Sequence, residues 1–143
     1  MDSISLKVPV TIKAKLTEKL KTKILADLEE AIKRTELELQ QMDIQEKRVL
    51  QENQPANPEQ PTMEEVQRYQ AIQAHFGEER NKRLQFREES LARKEEMEKM
   101  VIGAEIVQGT LEHQVEVHVG DDMREIMNVE VLVEDDKVIA MRS

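Results

Sequence analysis

Between residues 4 and 16 apolar and polar positions alternate almost without exception. Ile4, Leu6, Val8, Val10, Ile12, Ala14 and Leu16 point one way, and Ser5, Lys7, Pro9, Thr11, Lys13 and Lys15 the other. A period of two is the mark of a half-buried β-strand. Pro9 has no N–H to give to a ladder, so the strand has an unpaired edge there, or a bend. At Thr17 the period changes. Thr17 is placed to cap a helix and Glu18 suits its first turn. From there Leu25, Leu28, Ile32, Thr35, Leu39, Met42, Glu46 and Val49 recur at intervals of three and four, with no Gly or Pro across 17–53. That is a heptad seam on one long helix.

Residues 53–61 hold three of the chain's four prolines, which no helix passes through. Thr62 and Glu65 then form a Thr-x-x-Glu capping box. It predicts a second helix running to about Ile102, with Gly103 as a left-handed stop. Helices of about 17–53 and 62–102, joined by a short bend over 54–61, fold back on each other. A bend centred near residue 57 sets Val49 opposite Val66, Leu39 opposite Phe76 and Leu28 opposite Phe86. At about 1.5 Å per residue, arms of this length reach about 50 Å.

After Gly103 the period returns to two. Val115, Val117 and Val119 alternate with polar residues, and so do Met127, Val129, Val131 and Val133. Val138 to Met141 reads as a last short strand, residues 104–109 as a further one, and Gly120-Asp121-Asp122 and Asp135-Asp136 as turns. The first strand can bury its apolar face only against these. The predicted fold is α+β: a long antiparallel two-helix coiled-coil hairpin, residues 17–103, inserted into a small discontinuous β-domain, residues 1–16 plus 104–143. That domain is either barrel-like or an open antiparallel sheet.

Composition agrees with long solvated helices. Charged residues make up 36% of the 143, and there are no Trp, one Tyr and two Phe. The net charge of −9 is uneven, with +4 over residues 1–26, −6 over 27–103 and −7 over 104–143. Such a molecule as a whole repels nucleic acid. The absence of Cys excludes disulfides and thiolate chemistry. No secretory leader or membrane-spanning run is visible, which predicts a soluble, cytoplasmic protein.

No motif for catalysis emerges, and no enzymatic activity or cofactor is expected. His113 and His118 lie five residues apart on a strand, hence on opposite faces, and His75 is on the second helix, so no metal site is expected. Pairs such as Glu29-Glu30, Glu78-Glu79 and Glu88-Glu89 are ordinary solvated helix faces, since neighbours in sequence diverge on a helix.

Two surfaces are candidates for binding. Leu37, Ile44 and Leu50 fall off the seam at spacings of seven and six, a possible second apolar stripe for a protein partner or for self-association. Arg80, Lys82, Arg83, Arg87, Arg93 and Lys94 form the densest basic cluster, a possible strip for RNA or the ribosome. Interleaved glutamates oppose that second reading by pairing with the cations, and few aromatics are present to stack bases. The expected function is therefore a non-enzymatic interaction protein that grips a protein partner, adaptor- or chaperone-like. A ribosome- or RNA-associated assembly factor is the alternative.

The runs Lys-Val-Pro-Val-Thr-Ile-Lys-Ala-Lys-Leu-Thr-Glu at 7–18, Glu-Leu-Glu-Leu-Gln-Gln-Met-Asp at 36–43 and Val-Gly-Asp-Asp-Met at 119–123 resemble the YlqD family of bacterial proteins. The resemblance spans most of the chain. It implies a bacterial cytoplasmic protein and carries no catalytic or ligand-binding residues with it.

Overall fold

A computed structural model describes residues 1–143. Its elements in chain order are β1 (Ser3–Lys15), α1 (Glu18–Glu52), α2 (Met63–Lys99), β2 (Glu105–His118), α3 (Met123–Met127), β3 (Val129–Glu134) and β4 (Lys137–Arg142). The chain divides into two compact units, Met1–Ile24 with Lys99–Ser143, and Leu25–Glu98. The first unit thus keeps the opening turns of α1, which the predicted boundary at residue 16 assigned to the hairpin.

The first unit is an open four-stranded mixed sheet in the order β2-β1-β3-β4, neither a barrel nor wholly antiparallel. β1 pairs with β2 antiparallel along its whole length and with β3 parallel only from Val10 to Ala14. Pro9 is the last position before the β3 pairing starts, so the residue that cannot donate stands where β1 lacks a β3 partner. The parallel pairing sets Val129, Val131 and Val133 beside Val10, Ile12 and Ala14, the most apolar stretch of β1. Joining the outer edge of β2 would have left that stretch with an open side. Opposed residues in an antiparallel pair share a face. Ile4 with Val117, Leu6 with Val115 and Val10 with Leu111 therefore build one apolar face. Its buried centre is Val8, Val10 and Ala14, continued by Leu16.

Two features here escaped the alternation pattern. Residues 105–118 are one strand of 14 residues, because a bulge at Gln108 shifts the register without ending the pairing. Residues 123–127 are a short helix that contacts β1; the Asp122 carboxylate caps it by accepting from the Arg124 N–H at 2.9 Å. Between β3 and β4, Asp135 and Asp136 both take left-handed backbone, φ 47° and 69°, as a two-residue hairpin turn of the primed type requires. Asp135 also accepts a 2.8 Å hydrogen bond from the Thr17 hydroxyl, which in turn accepts from the Leu20 N–H and caps α1 as its sequence predicts.

The second unit is formed by two antiparallel helices. The capping box is present at α2. The Glu65 N–H donates to the Thr62 hydroxyl at 3.1 Å, and the Thr62 N–H donates to the Glu65 carboxylate at 3.2 Å. A second Glu65 oxygen accepts from Ala56 N–H, drawing the bend back along the start of α2. Hydrogen bonds from Thr62, side chain first, and then from the backbone hold the Glu65 carboxyl below its ordinary pKa. α2 ends at Lys99, three residues before the predicted stop. Gly103 is left-handed, φ 96°, and its N–H donates to Leu16 in the turn into β2.

Candidate partner-binding groove on the helical hairpin

Every seam residue predicted on α1 faces inward. Ile32, Thr35 and Met42 are buried, and Leu25, Leu28, Leu39, Glu46 and Val49 are half-buried among exposed neighbours. Thr35 satisfies its hydroxyl by donating to the Ala31 carbonyl at 2.9 Å. The partner positions on α2 differ from the predicted ones. Phe76 shares a cleft with Met42 rather than facing Leu39, and Val49 lies with Ile72 rather than Val66. The opposing residue of α2 lies three to eight residues later than predicted, from Phe76 beside Met42 to Arg80 beside Asp43, or one to two helical turns. The cause is the bend: residues 53–61 climb back along the start of α2, as the Ala56–Glu65 hydrogen bond shows, so the reversal is not symmetric about residue 57.

The inward face of α2 is mostly cationic. Phe76, Arg80, Arg83, Arg87, Ser90, Lys94 and Met97 follow the same three-four spacing and are all buried or half-buried. Acids of α1 meet these cations in register. Lys94 pairs with Glu29 at 3.4 Å, Arg87 with Glu36 at 3.3 Å and Arg80 with Asp43 at 3.1 Å, one heptad apart on each helix. Arg80 also pairs with Glu46, and that hydrogen bond is the main reason its guanidinium holds its proton more tightly than usual. Arg87 Nε is buried near Glu36 without hydrogen-bond alignment. The aliphatic stems of these side chains cover Ile32 and its neighbours while the charged heads reach the rim. One flank of the hairpin is thus closed by a ladder of ion pairs.

The predicted basic strip is therefore largely consumed. Arg80, Arg83, Arg87 and Lys94 are inter-helix partners, and Lys82 pairs with Glu79 on its own helix at 3.4 Å. Arg93 is exposed. The apolar stripe also divides. Leu37 and Ile44 occupy one heptad position on the outer back of α1, 54% and 68% exposed, whereas Leu50 falls one position earlier and is half-buried. Its spacing of six from Ile44 turns it toward the ladder flank.

The opposite flank is open. Three shallow clefts follow one another along it and share lining residues. The first holds Val49 and Ile72 with His75 and Phe76, the next Met42 with His75, Phe76 and Arg83, and the last Ala31 and Thr35 with Arg83 and Phe86. Together they make a groove between the helices roughly 27 Å long, from the rise over residues 31–49. Phe86 is 49% exposed at its lower end. The His75 ring meets Phe76 edge-on, with centroids 5.5 Å apart. Across the middle, Arg83 bonds to Glu38 at 3.3 Å and to Glu79 at 3.1 Å. Arg83, and then Lys82, hold the Glu79 carboxyl below its ordinary pKa. No sequence signal announced this groove, because its walls come from both helices and depend on their register.

The remaining sequence candidates lie elsewhere. His113 stands opposite Val8 and His118 opposite Ser3, on the two faces of the sheet. Asp121 accepts from the His118 N–H at 2.8 Å and serves the turn. A cavity of about 130 Å³ in the sheet unit, lined by Ala14, Leu20, Val133 and Asp135 among others, falls below the ~300 Å³ at which ligand pockets begin. No helix is long and apolar enough to cross a membrane.

The chain is similar over nearly its whole length to a crystal structure of a protein of unknown function from Synechococcus sp. WH 8102. The two share 22% identity and superpose with a TM-score of 0.86, covering 99% of this chain and 95% of that one. That likeness bears on the fold. Among curated proteins none matches this sequence. The family model described as "YlqD protein" matches residues 4–142, all but the chain ends, so with this fold the chain belongs to the YlqD family.

Proposed function

We propose that this protein is a non-enzymatic interaction protein whose helical hairpin works as a docking arm for a protein partner. One observation carries the reading. The ladder closes one flank of the hairpin, whereas the other leaves a groove floored by Met42, Val49, Ile72, Phe76 and Phe86. Two helices enclose too little volume to cover the apolar residues of both, and an uncovered groove between them takes a third helix well. The RNA-associated reading has less support, because four of its six cations are spent on acids of α1 and bring little free positive charge to a phosphate backbone.

The test is affinity recovery from the native cell with the whole chain as bait, with and without ribonuclease. Phe86→Glu places a charge in the groove, and Ile44→Glu places one on the outer back of α1. Proteins lost with Phe86→Glu, kept with Ile44→Glu and indifferent to ribonuclease are the expected result. Recovery that is the same for both variants, or that ribonuclease abolishes, would overturn the reading.

A further inference from the structure

We propose that the groove is built for an acidic amphipathic helix, a proposal that rests on the docking reading above. The reason is the sign of its rims. The exposed polar residues that line its clefts include Arg34 on α1 and, at heptad spacing on α2, Arg68, His75 and Lys82. Of these four, three are cations and none is an acid, in a chain whose net charge is −9. The ion pairs these cations make are with neighbours on their own helices, Glu30 for Arg34 at 3.5 Å and Glu79 for Lys82 at 3.4 Å. Both are weak exposed pairs that a ligand can displace. The acids in the walls, Glu38 and Glu79, are both engaged by Arg83, and with Arg34, Arg68 and Lys82 the lining stays net positive.

Along the groove run Val49, Met42 and Thr35 on α1 and Ile72, Phe76 and Phe86 on α2, all apolar but Thr35, and the Arg83–Glu38 pair crosses the middle. A helix laid in the groove presents apolar residues at i, i+3, i+4 and i+7 to this floor. The positions beside that stripe then stand against the guanidinium and ammonium groups, so Glu or Asp there gains charge-assisted hydrogen bonds and Lys or Arg is repelled. The groove's roughly 27 Å accommodates a helix of about 18 residues. Phosphate would also answer the cations, but the apolar floor has nothing to offer a nucleic-acid backbone, and His75 with the two Phe rings is a short platform for bases.

The experiment selects helical 21-residue peptides from a displayed library against the whole protein, with leucine fixed at i, i+3, i+7 and i+10 and the flanking positions random. Enriched peptides should be acidic at the flanks and should bind at least tenfold more weakly to Phe86→Glu. Selection on Arg68→Glu with Lys82→Glu, two exposed changes that leave the helices intact, should favour basic flanks. If peptides depend on Phe86 but show no charge preference, or do not follow the reversal, the acidic-helix proposal fails while the docking reading stands. If no enriched peptide depends on Phe86, the docking reading fails with it. An oligouridylate that binds the groove more tightly than the selected peptides would overturn the proposal in favour of RNA. Sedimentation showing that Phe86→Glu dissociates a dimer would overturn it in favour of a second copy.

Discussion

The two arms of the hairpin are nearly equal in length but solve the same packing problem in opposite ways. α1 buries a stripe of aliphatic residues with Thr35 and Glu46 as its polar members. α2 meets it with three arginines and a lysine in a row that also holds Phe76, Ser90 and Met97. All four cations are half-buried; Arg80, Arg87 and Lys94 are anchored along one flank by Glu29, Glu36, Asp43 and Glu46, and Arg83 by Glu38 across the other. One arm therefore depends on burial and the other on burial plus charge. The comparison teaches that a seam need not be apolar on both sides if its cations are held at one rim. Holding them there closes that rim and leaves the other open.

The sharpest way to break the comparison is at Phe76, the one fully buried apolar residue of α2. Phe76→Ala removes a buried ring from a seam that has few other apolar groups on that arm. A loss of about 3 kcal/mol is expected in urea unfolding of the whole chain, from the usual cost of truncating a buried aromatic. A loss below about 1 kcal/mol would mean that α2 contributes little burial and that the ion pairs dominate.

The ladder comes next. Arg80→Glu with Arg87→Glu sets like charges against Asp43, Glu46 and Glu36, and about 2 kcal/mol should be lost at low salt, since each partly exposed pair contributes at most about 1 kcal/mol and reversal adds repulsion. Adding Glu36→Arg and Asp43→Arg should recover most of it, and raising the salt should narrow the gap. Failure of the swap to rescue would show that the cations matter for their stems and not for their heads.

The smallest effect is in the pH dependence. Glu79 has its carboxyl pKa lowered from the ordinary 4.5, chiefly by Arg83. A lowered folded-state value means the unfolded chain binds the proton more readily, so the contribution is complete above 4.5 and is lost as pH falls through the folded value. Stability of the wild type should decline on acidification below that point, and Glu79→Gln should flatten the decline slightly. A steeper decline in the variant would reverse the assignment.

α1 was legible because its pattern is the ordinary one, a seam recurring at three and four with six of its eight residues apolar, and the structure keeps all eight inward. α2 was not, because an arginine on a solvated face and an arginine on a seam look alike in one dimension. The cluster from Arg80 to Lys94 read as a strip for an outside partner when most of it answers α1. The sheet divides in the same manner. Strict alternation marked β1, while the continuity of β2 across Gln108 and the five-residue α3 left too weak a trace.

By itself the sequence determined β1 and the two long helices, where Thr17 and Thr62 cap, and where the prolines turn the chain. These are local matters of backbone geometry and side-chain reach. Only the tertiary structure decided that β3 runs parallel beside β1, and that α2 sits one to two turns away from the symmetric register. It also decided that one flank is pinned by ion pairs while the other is open along Val49, Ile72 and Phe86. Each of these depends on two distant segments meeting at one level, and the energy that fixes the level belongs to the pair of segments and not to either alone.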